Sequence, residues 1–298
     1  MSDPHRFGVV ALAGPPNAGK STLLNRIIGE KISIISRRPQ TTRHRILGIK
    51  TLPGAQLVFV DTPGLHRSSR MLNRAMNRAA LGGVEDADLV IFMIDVRGWT
   101  PEVEELFRRA APKDTPVILA INKTDRLSDR ERLLPLIKQS AAMHDFAAII
   151  PISALKDKNM DAFLEAVLGA VPQGAPGFPA DQRTDRSQRF FAAELVREQS
   201  LKQLGHELPH ESAVEVTSFE YTDDKLLRVG VTIWVAKASQ KSIVIGRGGQ
   251  QLKVIGERAR KQMERAFGAR VYLDAWVKVK KGWADNAAML QKLGYMED

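Results

Sequence analysis

The chain carries Gly14-Pro15-Pro16-Asn17-Ala18-Gly19-Lys20-Ser21, a complete G-x-x-x-x-G-K-S loop, directly after the apolar run at residues 7–13. The apolar run predicts a buried parallel strand, and residues 21–29 have helical character, so the loop joins a strand to a helix. Its glycines let backbone NH groups surround a polyphosphate. Lys20 brings positive charge near the β and γ phosphates, and the Ser21 hydroxyl is suited to bind Mg²⁺. The loop therefore predicts a nucleotide phosphate site.

Three more motifs extend this prediction to the metal and the base. Asp61-Thr62-Pro63-Gly64 follows an apolar run, and there Asp61 can hold Mg²⁺ through water while the Gly64 NH meets the γ phosphate. Asn122-Lys123-Thr124-Asp125 follows another, and its Asp125 carboxylate can accept hydrogen bonds from guanine N1 and N2, whereas adenine presents an acceptor at N1. Ser153-Ala154-Leu155 adds a backbone NH for guanine O6. The order of the motifs predicts a guanine-nucleotide switch.

Between the first two motifs, residues 40–44 read Gln-Thr-Thr-Arg-His. We expect Thr42 to close on Mg²⁺ when the γ phosphate is present, although the adjacent Thr41 is an alternative. The predicted metal ligands are Ser21, Thr42 and Asp61, and the predicted catalytic residues are Lys20, Thr42 and Gly64. The predicted nucleotide contacts are Gly14, Pro15, Pro16, Asn17, Ala18, Gly19, Lys20, Ser21, Thr22, Asp61, Thr62, Pro63, Gly64, Leu65, Asn122, Lys123, Thr124, Asp125, Ser153, Ala154 and Leu155.

Charge is concentrated in the last quarter of the chain. Residues 225–282 hold fourteen lysines and arginines against three acids, a local balance of +11 in a protein whose net charge is +10. This predicts a polyanionic partner, with nucleic acid favoured over anionic lipid; a solvated basic face without a partner is the alternative.

The same region shows the element pattern of a type II KH domain. Helical and strand patterns lie at 187–204, 212–221, 226–236, 250–267 and 270–279, and the G-x-x-G of residues 246–249 joins the helix at 250–267 to a further helix before it. Together these six elements have the order α-β-β-α-α-β. Such a loop lets a sugar-phosphate backbone approach closely, and Arg247 adds charge. The predicted RNA-binding residues are Ile245, Gly246, Arg247, Gly248, Gly249 and Lys253.

The fold class is therefore predicted as α/β. We expect a GTP-binding domain with a mostly parallel sheet flanked by helices at 1–172, a Pro- and Gly-rich linker at 173–187, and a smaller α+β KH domain at 188–298.

Residues 1–172 resemble the translation-factor-related GTPases, with one departure from the Ras pattern. Leu65 stands where Ras-like enzymes have the glutamine that orients water, and an alkyl side chain cannot do this. The hydrophobic residue resembles the branch containing the TrmE, Era and Der GTPases. In several members an asparagine in the phosphate loop accompanies activation by K⁺, and Asn17 is at the matching position. The alternative is that Asn17 only stabilises the loop through a side-chain turn.

Over essentially its full length the chain resembles the Era family. The residues that carry the resemblance include Thr41-Thr42-Arg43-His44-Arg45, Leu65-His66, Trp276-Val277-Lys278-Val279-Lys280 and Gly282-Trp283. The resemblance implies Mg²⁺-dependent GTP hydrolysis, binding of the 3′ end of small-subunit (16S) rRNA, and a role in assembly of that subunit. It also implies a cytoplasmic monomer, while some members associate peripherally with the inner membrane. Pro15 departs from the basic residue that many members carry, and Arg247-Gly248 lacks a lysine.

Alternative functions and sites are few. A GTPase acting in RNA modification or replication, or a membrane-associated cell-cycle or stress regulator, would use the same basic surface. The chain has no cysteine, which excludes disulfides and thiolate metal sites. The stretch at 206–210 has the letters H-E-x-x-H of zinc proteases, but Pro209 would break the helix before the second histidine.

Overall fold

The computed structural model describes residues 5–36, 38, 41–63, 71–112, 114–204, 211–222 and 225–296. Contacts divide the chain into two compact units. The first comprises Met1–Ser33, Thr42–Arg67 and Met76–Asp185, and the second comprises Ile34–Thr41, Ser68–Ala75 and Arg186–Asp298. Among the described residues, no helix has both the length and the apolar character that crossing a membrane requires.

A six-stranded sheet forms the centre of the first unit. Its strands are β1 (Arg6–Ala13), β2 (Ile46–Leu52), β3 (Ala55–Asp61), β4 (Leu89–Asp95), β5 (Val117–Asn122) and β6 (Ala148–Pro151). They are ordered β2-β3-β1-β4-β5-β6, and β2 alone is antiparallel to its neighbour. Every residue of β3, β4 and β5 is buried, as expected for parallel strands covered on both faces. The predicted mostly parallel sheet is confirmed.

Helices connect these strands. They are α1 (Lys20–Ile28), α2 (Met71–Glu85), α3 (Pro101–Ala110), α4 (Leu133–Met143) and α5 (Met160–Ala170). The start of α3 illustrates the local sequence control, because the Thr100 side chain accepts a hydrogen bond from the Val103 backbone NH and Pro101 occupies the first helical turn. Behind it, Phe92 of β4 packs against Phe107 of α3 with ring centroids 4.9 Å apart.

The segment predicted as a linker, residues 173–187, forms hydrogen bonds with strands of the first unit as far as Asp185. The Ile49 NH of β2 donates to the Arg183 carbonyl at 2.8 Å, and Gln56 of β3 donates to the Phe178 carbonyl at 2.8 Å. The sequence predicts that the first domain ends at residue 172, whereas the contacts place the end of the first unit at Asp185. Prolines and glycines in this stretch end a helix, yet they leave backbone groups free to pair with a strand edge.

The second unit contains the three-stranded sheet β7-β8-β9 and helices packed on it. Its elements are α6 (Gln188–Gln203), β7 (Ser212–Tyr221), β8 (Leu226–Val235), α7 (Ala238–Ile245), α8 (Gln250–Phe267), β9 (Arg270–Val279) and a short α9 (Ala287–Lys292). β8 pairs antiparallel with β7 and parallel with β9. The predicted order α-β-β-α-α-β is confirmed.

The hydrophobic core of this unit lies between sheet and helices. Val231 and Ile233 of β8 are completely buried, as are Ile255, Ala259 and Met263, which are spaced four residues apart on α8. Along β9 the side chains alternate, so that Val271 and Val277 are buried while Tyr272 and Trp276 are exposed. The arrangement fixes α8 and the loop before it against the sheet.

Candidate functional site

The predicted phosphate loop turns between β1 and α1, and its conformation depends on glycine. Gly14 has a φ of 131° and Gly19 a φ of 112°, both in the left-handed region. A Cβ atom at Gly14 would collide with the Met93 carbonyl oxygen, and one at Gly19 with the Asn122 side-chain amide. Larger residues are therefore excluded twice, by backbone strain and by space. Thr22 lies in the first turn of α1, directly behind the loop.

Lys20 is buried at the start of α1, and its ammonium group folds back onto the loop. Nζ donates to the Gly14 carbonyl at 2.8 Å and to the Pro15 carbonyl at 3.1 Å. Burial lowers the pKa of Lys20 to about 8, although the nearby Asp61 carboxylate partly offsets this. The loop thus holds a cation whose charge has lost most of its water.

Three hydroxyl groups surround one oxygen of the buried Asp61 carboxylate. Ser21 Oγ donates to Asp61 Oδ2 at 2.7 Å and Ser33 Oγ at 2.9 Å, while Thr42 Oγ1 lies 3.0 Å from Ser21 Oγ and 3.4 Å from Oδ2. The other oxygen, Oδ1, is buried without a hydrogen bond to any described residue. Burial raises the pKa of Asp61 against the opposing effects of these hydroxyls and Lys20.

This cluster fits a hard divalent cation. Carboxylate and hydroxyl oxygens are the ligands that Mg²⁺ prefers, and an unbonded buried carboxylate oxygen is the group a cation would satisfy. The three predicted metal ligands, Ser21, Thr42 and Asp61, all belong to it. Ser33 was not predicted, since it lies outside the sequence motifs. Among the described residues, no group of three or more histidines and acids could hold a metal.

The two neighbouring threonines have different surroundings. Thr42 is buried against Asp61, whereas the Thr41 hydroxyl donates to the Arg38 carbonyl at 2.7 Å and meets Ser36 Oγ at 2.8 Å. Only Thr42 therefore has its hydroxyl at the carboxylate, which favours it over Thr41 as the metal ligand.

The Asn122-Lys123-Thr124-Asp125 motif forms hydrogen bonds with the phosphate loop and with the loop at residues 153–155. Asn122 donates to the Ala18 carbonyl at 2.8 Å and accepts from the Ala154 NH at 3.1 Å. The Asp125 carboxylate accepts a hydrogen bond from Ser153 Oγ at 2.5 Å. The predicted base-binding residues therefore lie together beside the phosphate loop. Leu155, at 65% exposure, is at the surface of this site.

Asp95, at the end of β4, is a residue that the motifs do not reveal. Lys123 Nζ donates to Asp95 Oδ2 at 3.0 Å and to the Asn17 carbonyl at 2.5 Å. Burial alone would raise the pKa of Asp95, but hydrogen bonds from Arg97 and Lys123 outweigh it and lower the pKa to about 2. Asp95 therefore anchors the lysine that supports the phosphate loop.

The remaining predicted nucleotide contacts are only partly described. Thr62 donates from Oγ1 to the Leu12 carbonyl at 3.0 Å, Thr124 donates to the Ile152 carbonyl at 3.0 Å, and Pro63 is buried. Gly64 and Leu65 lie outside the described residues, as does the H-E-x-x-H stretch at 206–210.

The G-x-x-G loop lies between α7 and α8 with an open backbone. Gly246, Gly248 and Gly249 have φ values of 73°, 59° and 80°. A Cβ atom at Gly246 would lie 2.6 Å from Gln251 Cβ, whereas nothing is within 4 Å of such an atom at Gly248 or Gly249. Arg247 and Lys253 are exposed on either side, and the preceding Ile245 is half-buried. The loop offers bare backbone next to two cations.

A groove of about 370 Å³ continues from this loop along α8. Besides Gly249, α8 contributes Leu252, Lys253, Gly256, Glu257 and Arg260, and β9 contributes Leu273 and Ala275. Of these, only Gly249 and Lys253 were predicted. The signal for the others is helical spacing, because positions 249, 252, 253, 256, 257 and 260 fall on one face of a helix.

Helix α6 carries a buried charge pair that sequence reasoning also missed. Arg197, 1% exposed, donates from Nη2 to Glu194 Oε2 at 2.6 Å and to the Thr41 carbonyl at 2.5 Å. Arg38 in turn donates to the Leu201 carbonyl at 2.8 Å. Arg38 and Thr41 are thus held against α6 within the second unit.

Comparisons with known proteins agree with both sites. The profile of the 50S ribosome-binding GTPase family matches residues 9–123, and that of the KH domain matches residues 207–284. The chain is 52% identical over 295 residues to the GTPase Era of Xanthomonas oryzae pv. oryzae, covering 99% of this chain and 98% of that protein. The chain belongs to the Era family of GTPases.

Other members of the Era family match equally completely. The GTPase Era of Stenotrophomonas maltophilia is 50% identical over 293 residues, covering 98% of each protein. Crystal structures of Era with MgGDPNP and nucleotides 1506–1542 of 16S ribosomal RNA, and of a single-residue variant of Aquifex aeolicus Era bound to GDP·AlF4⁻, each superimpose with a TM-score of 0.95 at 40% identity, covering 98% of this chain and all of the other. The predicted family and the two-domain fold are confirmed, and the protein is a GTP-hydrolysing enzyme.

Proposed function

We propose that this protein is a GTP-driven switch that binds the 3′ end of 16S rRNA through its KH domain and assists assembly of the small ribosomal subunit. The observation that carries the proposal is the open G-x-x-G loop beside a groove, in the same chain as the phosphate loop and the Asp61 cluster. Its support is twofold. The two sites have the geometry described above, and a solved relative with the same two domains was crystallised with a 16S rRNA fragment.

At the GTP site, each residue has a separate task. Lys20 compensates phosphate charge, and the backbone NH groups of the loop residues other than Pro15 and Pro16 surround the phosphates. Ser21, Thr42 and Asp61 would hold Mg²⁺, which supplies positive charge to the β and γ phosphate oxygens when bound. Asp125, positioned by Ser153, accepts hydrogen bonds from guanine N1 and N2. The sequence also assigns the γ phosphate to the NH of Gly64, a residue outside the described part of the chain.

K⁺ is proposed as a second cation at Asn17. The residue adopts φ of 62°, its side chain is exposed, and its amide group has no hydrogen bond within the described part of the chain. A side-chain turn therefore does not explain the asparagine, whereas a free amide oxygen beside the phosphates is a suitable monovalent-cation ligand. Such a cation would add positive charge where an arginine finger does in other GTPases.

The decisive experiment tests the G-x-x-G loop. Gly248→Asp places a carboxylate where the RNA backbone must approach, and should weaken binding of a single-stranded RNA with the 16S 3′-end sequence at least about tenfold. Fluorescence anisotropy measures the affinity, and GTP binding should be unchanged. Parent affinity should fall steeply with added salt, because the basic segment contributes phosphate contacts.

Gly268→Asp is the matched control. Gly268 ends α8, has a φ of 64°, and also has nothing within 4 Å of the position a Cβ atom would occupy. The substitution adds the same charge and the same backbone strain at the far end of the 18-residue helix, about 27 Å away. Equal RNA affinity of the Gly248→Asp and parent proteins would refute the proposal. Duplex DNA bound as tightly as the single strand would favour a role in replication or RNA modification.

A further inference from the structure

The groove beside the G-x-x-G loop contains one carboxylate that no neighbouring group neutralises among the described residues. We propose that Glu257 selects the base held in this groove, accepting bases that carry an exocyclic amino group and rejecting uracil. The inference rests on the proposed binding of single-stranded RNA and adds the class of sequence that is bound.

The charges in the groove are not equivalent. Arg260 is engaged by Glu264, with Nη1 2.7 Å from Oε1, and the same Glu264 oxygen accepts from the Val271 NH at 3.3 Å. Glu257 is exposed and, like Lys253, forms neither a hydrogen bond nor an ion pair with any residue that the structure describes. One cation and one carboxylate of the groove thus remain available to a ligand.

The surfaces around Glu257 suit a base. Gly256, the preceding residue, has open space where a side chain would be, so a flat ring can approach the helix backbone. Leu252, Leu273 and Ala275 provide an apolar wall for its faces. A phosphate would be repelled by the carboxylate, whereas Lys253 and the bare loop at Gly249 attract it. The geometry therefore orients the sugar-phosphate backbone toward the loop and a base edge toward Glu257.

Hydrogen-bond chemistry then decides which base is accepted. A carboxylate only accepts hydrogen bonds, and cytosine N4, adenine N6, and guanine N1 and N2 all donate them. Uracil presents one NH between two carbonyl oxygens. These oxygens carry partial negative charge, so the carboxylate repels them. Cytosine and uracil have the same size and stacking surface and differ only on this edge, which makes them the sharpest pair for a test.

The test compares oligocytidylate and oligouridylate of equal length by fluorescence anisotropy with the full chain. The parent should bind the cytosine strand at least about tenfold more tightly. Glu257→Gln should bring the ratio close to one, chiefly by improving uracil binding. A glutamine amide can donate to uracil O4 and accept from uracil N3–H, while it can still pair with cytosine.

Removing a negative charge will also strengthen binding of every RNA, so the control is Glu220→Gln. Glu220 is an exposed acid on β7, outside the groove, and its substitution changes the net charge equally. It should tighten both strands by the same factor and leave their ratio as in the parent. A general charge effect cannot mimic the expected change of ratio.

The possible outcomes distinguish a failure of base selection by Glu257 from a failure of the proposed RNA binding. If the parent binds both strands equally and Gly248→Asp weakens both, RNA binding stands and selection by Glu257 is overturned. An unchanged ratio in Glu257→Gln overturns it as well. If the parent binds neither these strands nor the 16S 3′-end RNA, the proposed function falls together with the inference.

Discussion

Nucleotide binding should be accompanied by proton uptake at Lys20. Burial lowers the pKa of Lys20 from 10.5 to about 8 in the free protein. A polyphosphate placed against Nζ supplies the opposite charge that favours the ammonium form, so the pKa rises again in the complex. The free site is therefore partly neutral above neutral pH, and the bound site is charged.

The magnitude follows from the lowered pKa. A group with a pKa of about 8 is roughly one-quarter neutral at pH 7.5 and roughly three-quarters neutral at pH 8.5. Uptake at Lys20 should thus increase from about 0.25 to about 0.75 proton per nucleotide over this interval. The sign is fixed, because a lysine with a lowered pKa binds fewer protons in the free protein than in the complex. Affinity therefore declines as pH rises through 8.

Isothermal titration calorimetry with a non-hydrolysable GTP analogue and Mg²⁺ measures this uptake. Titrations at each pH in two buffers of different ionisation enthalpy give the number of protons. Lys20→Gln is the control, because its amide is polar but does not titrate. Its proton uptake is subtracted from that of the parent. An equal number of protons for parent and variant at pH 8.5 would refute the argument that burial neutralises Lys20.

Three further outcomes are expected. Asp125→Asn should replace an acceptor facing guanine N1 and N2 by a donor, weakening GTP and improving xanthosine triphosphate in competition binding; GTP affinity equal to that of the parent would remove the assignment. GTP hydrolysis should be faster in KCl than in NaCl at equal ionic strength, and Asn17→Ala should abolish the difference; identical parent rates would exclude K⁺. Asp95→Asn should lower the free energy of unfolding at neutral pH. Because the folded pKa of about 2 lies below the ordinary 3.8, the gap should persist above pH 4 and close as pH falls toward 2, as measured by urea denaturation.

The nucleotide site could largely be predicted because its residues occupy contiguous motifs. Lys20 and Ser21 have fixed places relative to the glycines of one loop, and Asp61 and Asp125 each follow a recognisable buried strand. Ser33 and Asp95 could not be found in this way. Their partners, Asp61 and Lys123, are 28 residues away in both cases, and only the folded sheet brings them together.

In the second unit, too, features set by neighbouring residues could be predicted, whereas contacts between residues far apart in the sequence could not. The strand and helix patterns determined its element order, since alternation along β9 and four-residue spacing along α8 are local properties. The linker at 173–187 stays a prediction, since proline and glycine indicate where a helix ends but not what the following backbone pairs with. The Arg197 contact with Thr41 spans 156 residues, and no pattern near either residue indicates it.

Burial lowers the pKa of Lys20 and raises that of Asp61, so it disfavours the charged form of both groups in the GTP site. Lys20 thereby loses part of its positive charge, and one oxygen of Asp61 has no hydrogen bond among the described residues. Each group is thus poorly satisfied in the free protein despite their mutual attraction. A polyphosphate with Mg²⁺ supplies an anion to the first and a cation to the second. Since only the folded chain brings these groups together, nucleotide and Mg²⁺ should stabilise the first unit by mass action as well as prepare it for hydrolysis.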